Sequence, residues 1–122
     1  MSRNIVAVVV GIVAFAIVAG ICDWLLRLTW PDYATAEPVF GFTLAMQLAR
    51  LVMGAVATIV AGAVTGAIAR RRAAVIATGI VLVVLFVPVH AMIWDKFPIW
   101  YHLAFLTSLV PVTMLAGARR RA

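Results

Sequence analysis

Four long apolar runs constrain this chain more than any other feature of its sequence. They lie at about residues 5–22, 48–69, 73–94 and 99–118. Each run is close to the ~20 residues that cross ~30 Å of hydrocarbon as a helix. Hydrophobic residues make up 66% of the chain and charged residues 11%, which is far from the composition of a soluble domain of 122 residues. We therefore predict an all-α protein, an integral membrane four-helix bundle.

The whole chain, residues 1–122, is expected to form one transmembrane domain. The predicted helices cover about residues 4–28, 42–69, 73–94 and 98–118. Trp30-Pro31 ends the first of them, because the residue before a proline is pushed out of helical geometry. The segment 31–40 has turn residues at both ends and is predicted to be a loop. The first run continues well past the point where a signal peptide would be cut, so residues 1–30 are expected to stay in the mature protein.

Charge divides the helix ends into two classes. Seven arginines mark one class, here called the arginine end: Arg3, Arg70, Arg71, Arg72, Arg119, Arg120 and Arg121. The other class, here called the aromatic end, holds every tryptophan and tyrosine: Trp24, Trp30, Tyr33, Trp94, Trp100 and Tyr101. It also holds four acidic and three other basic residues: Asp23, Asp32, Glu37, Asp95, Arg27, Arg50 and Lys96. The two ends thus carry +7 and −1, which gives the net charge of +6.

This asymmetry predicts how the chain sits in its membrane. Loops rich in arginine stay in the cytoplasm, and tryptophan and tyrosine favour the head-group level. We expect both termini and the 70–72 turn to be cytoplasmic in a bacterial plasma membrane. The arginines are then topology signals and contacts for anionic lipids rather than a nucleic-acid surface.

The second helix carries small residues at every fourth position, namely Gly54, Thr58, Gly62 and Gly66. Membrane helices associate through close packing, which small side chains permit. The pattern predicts a tight helix contact along this stripe. It leaves open whether the partner is the first helix, the fourth helix or another copy of the chain.

Strongly polar residues are predicted to lie in one layer at the aromatic end. At 1.5 Å per residue, Arg50 lies about 30 Å from Arg70, and Asp23 lies equally far from Arg3. Asp23 is therefore expected to pair with Arg27, with Arg50, or with both. Counted the same way, His90 and His102 share a depth just inside the boundary. The layer comprises Asp23, Arg27, Gln47, Arg50, His90, Asp95 and His102.

Several functions are compatible with this layer. Facing histidines can bind haem, hold a metal ion with an aspartate, or relay protons. They lack the sequence spacing of a metal site, so we assign no metal or catalytic residue, and a haem or metal at His90 and His102 is the lesser alternative. We expect a non-enzymatic accessory, assembly or stability factor that contacts a larger membrane protein. The alternatives are a homo-oligomeric transporter or channel and, below it, an electron-transfer subunit.

Overall fold

The fold is taken from a computed structural model, which describes the backbone of residues 2–121 and the side chains of residues 3–117. Ala122 and the side chains of Arg119, Arg120 and Arg121, all counted at the arginine end, lie outside that description. The described chain is all-helical. Its five α-helices are α1 Ser2–Thr29, α2 Pro31–Ala36, α3 Leu44–Ala69, α4 Arg72–Met92 and α5 Ile99–Arg121.

The helices α1, α3, α4 and α5 are each long and apolar enough to cross a membrane. They indicate a membrane protein. α3 begins two residues later than the sequence predicts, because Thr43 caps it: the Thr43 hydroxyl accepts a hydrogen bond from the Met46 amide at 3.3 Å. α4 ends at Met92, and a 3-10 turn over Trp94–Lys96 leads towards α5.

The segment predicted to be a loop contains a short helix. Trp30 is not helical, with φ of −133° and ψ of 88°, and Pro31 then occupies the first turn of α2, where its fixed φ favours a helix and its missing N–H costs nothing. A 3-10 turn over Glu37–Val39 follows, and Phe40 reverses the chain in the left-handed region, with φ of 54°. α2 thereby folds back towards α1 and carries Tyr33 over the ends of the long helices.

The turn at the arginine end is only two residues long. Arg70 caps α3 in the left-handed region, with φ of 55°, and its amide donates to the Gly66 carbonyl at 2.9 Å. Arg71 is extended, and α4 starts at Arg72. From the start of α1, the Arg3 Nε atom donates to the Ile68 carbonyl at 2.6 Å and so satisfies one of the free carbonyls at the end of α3.

α3 packs along both α1 and α5, while α4 packs chiefly against α5. The glycines of the stripe face α5 in the same chain. A Cβ atom at Gly62 would collide with the Thr113 carbonyl oxygen, and one at Gly54 would lie 2.6 Å from the Phe105 ring. One at Gly66 would lie 3.1 Å from the Gly117 backbone. Thr58 is buried and donates to the Gly54 carbonyl at 2.6 Å.

α1 meets a different face of α3. A Cβ atom at Gly11 would collide with the Thr65 hydroxyl, and that hydroxyl lies 2.9 Å from the Thr78 hydroxyl of α4. Three helices therefore meet closely at this depth. Gly20, further along α1, is exposed, and a Cβ atom there would find nothing within 4 Å.

Candidate functional site

Polar side chains at the aromatic end form two groups. The first, here called the charge cluster, joins α1, the α2 segment and α3. Its members are Asp23, Arg27, Tyr33, Glu37 and Arg50. The second is a pair of histidines, His90 and His102, between the end of α4 and the start of α5.

Tyr33 lies at the centre of the charge cluster and is completely buried. Its hydroxyl donates to Asp23 Oδ1 at 2.7 Å and accepts from Arg50 Nη1, also at 2.7 Å. Arg50 Nη1 and Asp23 Oδ1 themselves are 3.8 Å apart. The phenol of Tyr33 thus links the carboxylate to the guanidinium, using hydrogen bonds that a charged partner strengthens at both ends.

Arg27 and Glu37 complete the charge cluster on its exposed side. Arg27 Nη2 lies 2.7 Å from Asp23 Oδ2, one helical turn away, and its Nε lies 2.5 Å from Glu37 Oε1. Glu37 Oε2 is also 3.8 Å from Arg50 Nη1. Two carboxylates therefore face two guanidinium groups, and the cluster carries no net charge when all four are ionised.

Aromatic rings surround the buried part of Arg50. Its guanidinium carbon lies 4.8 Å from the centre of the Phe42 ring and 5.9 Å from that of Phe97, which permits cation–π attraction. Arg50 Nε donates to the Tyr101 hydroxyl at 3.3 Å. The side chain of Arg50 is 20% exposed, so its charge is held mainly by these partners.

Burial changes the acidity of two groups in the α2 segment. Burial raises the pKa of Tyr33, and its hydrogen bond to Asp23 acts in the same direction. Burial also raises the pKa of Glu37, and the neighbouring Asp23 carboxylate adds to that effect. In both cases the surroundings favour the protonated form.

The two histidines share a direct hydrogen bond. His90 Nδ1 and His102 Nδ1 are 2.7 Å apart, and His102 Nε2 lies 3.0 Å from the Trp94 carbonyl oxygen. A carbonyl oxygen only accepts, so His102 Nε2 carries a proton. In the neutral ring, His102 Nδ1 is then the acceptor, and His90 Nδ1 is the donor.

This hydrogen-bond order gives the two histidines different roles. Within residues 3–117 every buried side-chain nitrogen and oxygen has a hydrogen-bond partner. His90 Nε2 makes no hydrogen bond in that part of the chain, so it is not sealed from its surroundings. His90 therefore offers one free acceptor nitrogen, and His102 fixes the tautomer and orientation of His90, as second partners commonly do for ligating histidines.

Stacked rings enclose the histidine pair. The Trp94 ring lies on His102 with centroids 4.4 Å apart and an angle of 10°, and the Phe105 ring lies on His90 at 4.8 Å and 30°. His90 is 4% exposed and His102 is fully buried. The pair is thus held rigidly between α4 and α5.

Five of the seven residues of the predicted polar layer belong to the charge cluster or to the histidine pair. Asp23, Arg27, Arg50, His90 and His102 all take part in the two groups. Gln47 is half-buried and Asp95 is exposed, and the described contacts place neither in the charge cluster nor in the histidine pair. No group of three or more His, Cys, Asp or Glu side chains that could hold a metal ion occurs among the residues described.

Two members of the charge cluster, Tyr33 and Glu37, were not among the predicted candidates, and neither was Tyr101, which bonds to Arg50. The sequence assigned the tyrosines to the head-group level and Glu37 to a loop. The available signal was Pro31, which favours a helix start and so turns the following residues back towards Asp23.

Comparison of the chain with protein-family models, with curated proteins and with solved structures found no match in any of the three. Its function has therefore to be inferred from the residues and contacts described above.

Proposed function

We propose that the chain is a small multi-pass protein of a bacterial plasma membrane that acts as a non-enzymatic accessory, assembly or stability factor for a larger membrane protein. Both termini are cytoplasmic, and the four long helices form a bundle. The arginine end supports this orientation through the positive-inside rule, and its arginines are available to anionic lipids.

The free face of α1 is the observation that carries the accessory role. Only 17% of the apolar window of α1 is buried in the chain, against 39% for α3. Ala16 and Gly20 lie one turn apart on α1 and are both exposed, with open space beside Gly20. Such a pair lets another helix approach closely, whereas the glycines of α3 already pack inside the chain.

The charge cluster supports a structural rather than a chemical role for the aromatic end. Asp23, Arg27, Glu37 and Arg50 satisfy one another's charges and join α1, α2 and α3. Ionisable groups near a membrane boundary commonly pair in this way. A fixed arrangement of these helices keeps the free face of α1 presented to a partner.

The test compares the same enlargement on two exposed helix faces. The tagged chain is extracted from its own membranes in mild detergent, and the proteins retained by wild type, Gly20→Leu and Ala104→Leu are quantified. Ala104 is exposed on α5 and serves as the matched control. We expect Gly20→Leu to lose a specific partner while Ala104→Leu keeps it, with melting temperatures unchanged. Equal retention by both variants would refute the role of α1.

The same face of α1 also fits a second copy of the chain, which is what a homo-oligomeric transporter or channel requires. Light scattering of the purified protein separates the two cases. An oligomer that Gly20→Leu converts to a monomer favours the transporter or channel. We do not propose electron transfer with both histidines as ligands, because hydrogen bonds occupy both ring nitrogens of His102 and leave it no free nitrogen for a cofactor.

A further inference from the structure

A groove between α1 and α4 opens at the arginine end. It has a volume of about 330 Å³, within the ~300–1,000 Å³ typical of small-ligand sites. Ile5, Val8 and Val9 form its wall on α1, and Ala73 and Ala77 form its wall on α4. The alanines leave the space because they are one turn apart and too short to reach the larger side chains of α1.

The two ends of this groove differ in polarity. Asn4 is the polar residue of its lining, and Arg3 precedes it on α1. Arg72 likewise precedes Ala73 on α4, and both arginines are exposed. An arginine thus stands next to the same end of each wall, and Arg3 Nε also donates to the Ile68 carbonyl at the end of α3.

The charges around the groove are of one sign. All four acidic residues of the sequence belong to the aromatic end, so no Asp or Glu side chain accompanies the arginines at the groove entrance. From Asn4 to Val9 the groove runs about 8 Å into the hydrocarbon layer. An anion joined to an apolar chain matches both the arginines at the entrance and the apolar walls of the groove. A free anion matches only the arginines.

We propose that this groove binds an anionic phospholipid, with its phosphate between Arg3 and Arg72 and the upper part of one acyl chain along Ile5, Val9 and Ala77. The site gives a specific position to the lipid contact suggested above for the arginine end. It rests on the membrane placement of the chain and not on its accessory role, so the lipid measurement and the partner measurement can fail independently.

Native mass spectrometry of the purified protein tests the head-group part. Phosphatidylglycerol and phosphatidylcholine with the same acyl chains are titrated in a neutral detergent. We expect phosphatidylglycerol to bind on the order of twentyfold more tightly, because each arginine near a head group contributes about fivefold. The double variant Arg3→Gln with Arg72→Gln should lose that preference. Equal binding of the two lipids by wild type, or an unchanged preference in the variant, would overturn the proposal.

A second groove on the same protein provides the control for the acyl chain. It lies between α1 and α3 at the aromatic end, has a volume of about 370 Å³, and includes Cys22, Ala49 and Val52 in its lining. Ala77→Phe fills the proposed site and Ala49→Phe fills the control groove. We expect Ala77→Phe to weaken phosphatidylglycerol binding severalfold and Ala49→Phe to leave it unchanged. The reverse order, or equal losses, would contradict the assignment.

Two further measurements keep the test decisive if Ala77→Phe does not fold. Phosphatidylglycerol with a photoreactive acyl chain should cross-link wild type within residues 5–9 and 73–77, and cross-links confined to residues 22–29 and 49–56 would refute the site. Inorganic phosphate at millimolar concentration should not displace the lipid, and displacement would show that the groove contributes nothing. Dimerisation that Ala77→Phe abolishes would assign the groove to a second copy instead.

Discussion

One hydroxyl group, that of Tyr33, connects the charges of the charge cluster. It donates to Asp23 and accepts from Arg50, which are otherwise 3.8 Å apart. A hydrogen bond to a charged group contributes about 1.5–3 kcal/mol, and removing one partner leaves the other unsatisfied. Much of the stability of the cluster is therefore expected to pass through this one phenol.

Tyr33→Phe should lower the free energy of unfolding in detergent by about 1–3 kcal/mol, because both hydrogen bonds are lost. Tyr101→Phe, which loses one longer bond to Arg50 at 3.3 Å, is the matched control and should cost less. Thermal unfolding measures both. Equal losses in the two variants would show that Tyr33 does not link the charges.

A double-mutant cycle between Asp23 and Arg50 gives a stricter form of the same idea. With alanine at each position we expect a coupling of about 0.5–3 kcal/mol, since the two groups share a network. Repeating the cycle in the Tyr33→Phe background should reduce that coupling. An undiminished coupling would mean that the charges interact directly across 3.8 Å.

Glu37 makes stability depend on pH. Its folded pKa lies above the ordinary value of 4.5, because burial and Asp23 disfavour its charge. Protonated Glu37 therefore contributes stability that is fully present below pH 4.5. This contribution is lost as the pH rises through the pKa that Glu37 has in the folded protein. Glu37→Gln cannot titrate, so the melting temperature of wild type relative to this variant should fall as the pH rises above the ordinary pKa of 4.5. Asp32→Asn, at an exposed position of α2, is the control. A wild-type melting temperature that rises relative to that of Glu37→Gln as the pH increases would contradict the prediction.

At the scale of the helices, the glycines divide into those that are packed and those that are free. Gly62 leaves no room for a Cβ atom against the Thr113 carbonyl, and backbone atoms yield less easily than a side chain does. Gly20 has open space around it. Two glycines in apolar helices therefore differ sharply in what a methyl group would cost.

Gly62→Ala should destabilise the protein by about 1–3 kcal/mol through overpacking. Gly20→Ala should be neutral or stabilising, because alanine has a better helix propensity than glycine. Thermal unfolding of both variants in one detergent makes the comparison. Equal changes in the two melting temperatures would contradict the packing described for α3.

The sequence allowed some contacts between helices to be predicted, but not others. Four apolar runs indicated the four long helices, and counting the rise put Asp23 and Arg50 at one depth, where the structure has them in the same cluster. The place of Tyr33 required a helix in a segment predicted to be a loop. The bond between His90 and His102 depends on how α4 and α5 are rotated about their axes, which a depth count does not contain. Likewise, a stripe of small residues does not name its partner, and only the packed chain places Gly62 against α5.

At the scale of the whole molecule, the proposed orientation can be tested at positions that the structure shows to be accessible. A cysteine introduced for labelling has to be accessible. At the aromatic end, Val39 is 73% exposed and Lys96 is also exposed, whereas Phe97 is only 5% exposed and is unsuitable. In a Cys22→Ser background, Val39→Cys and Lys96→Cys should react with an impermeant maleimide on intact cells. Arg71→Cys, exposed at the other end, should react only after lysis. Labelling in the opposite pattern would show that the protein has the reverse orientation.

In the proposed orientation, membrane insertion and folding make opposing demands on Arg70. It occupies the left-handed conformation that closes α3, where glycine is usual and a side chain is strained. Arg70→Gly should therefore raise the free energy of unfolding by up to about 1 kcal/mol while removing one of the charges that, in the proposed orientation, keep this turn cytoplasmic. Unfolding and maleimide labelling of one variant would measure both effects. In the proposed orientation, a residue that weakens the finished fold would act earlier, when the nascent chain enters the bilayer and its direction is decided.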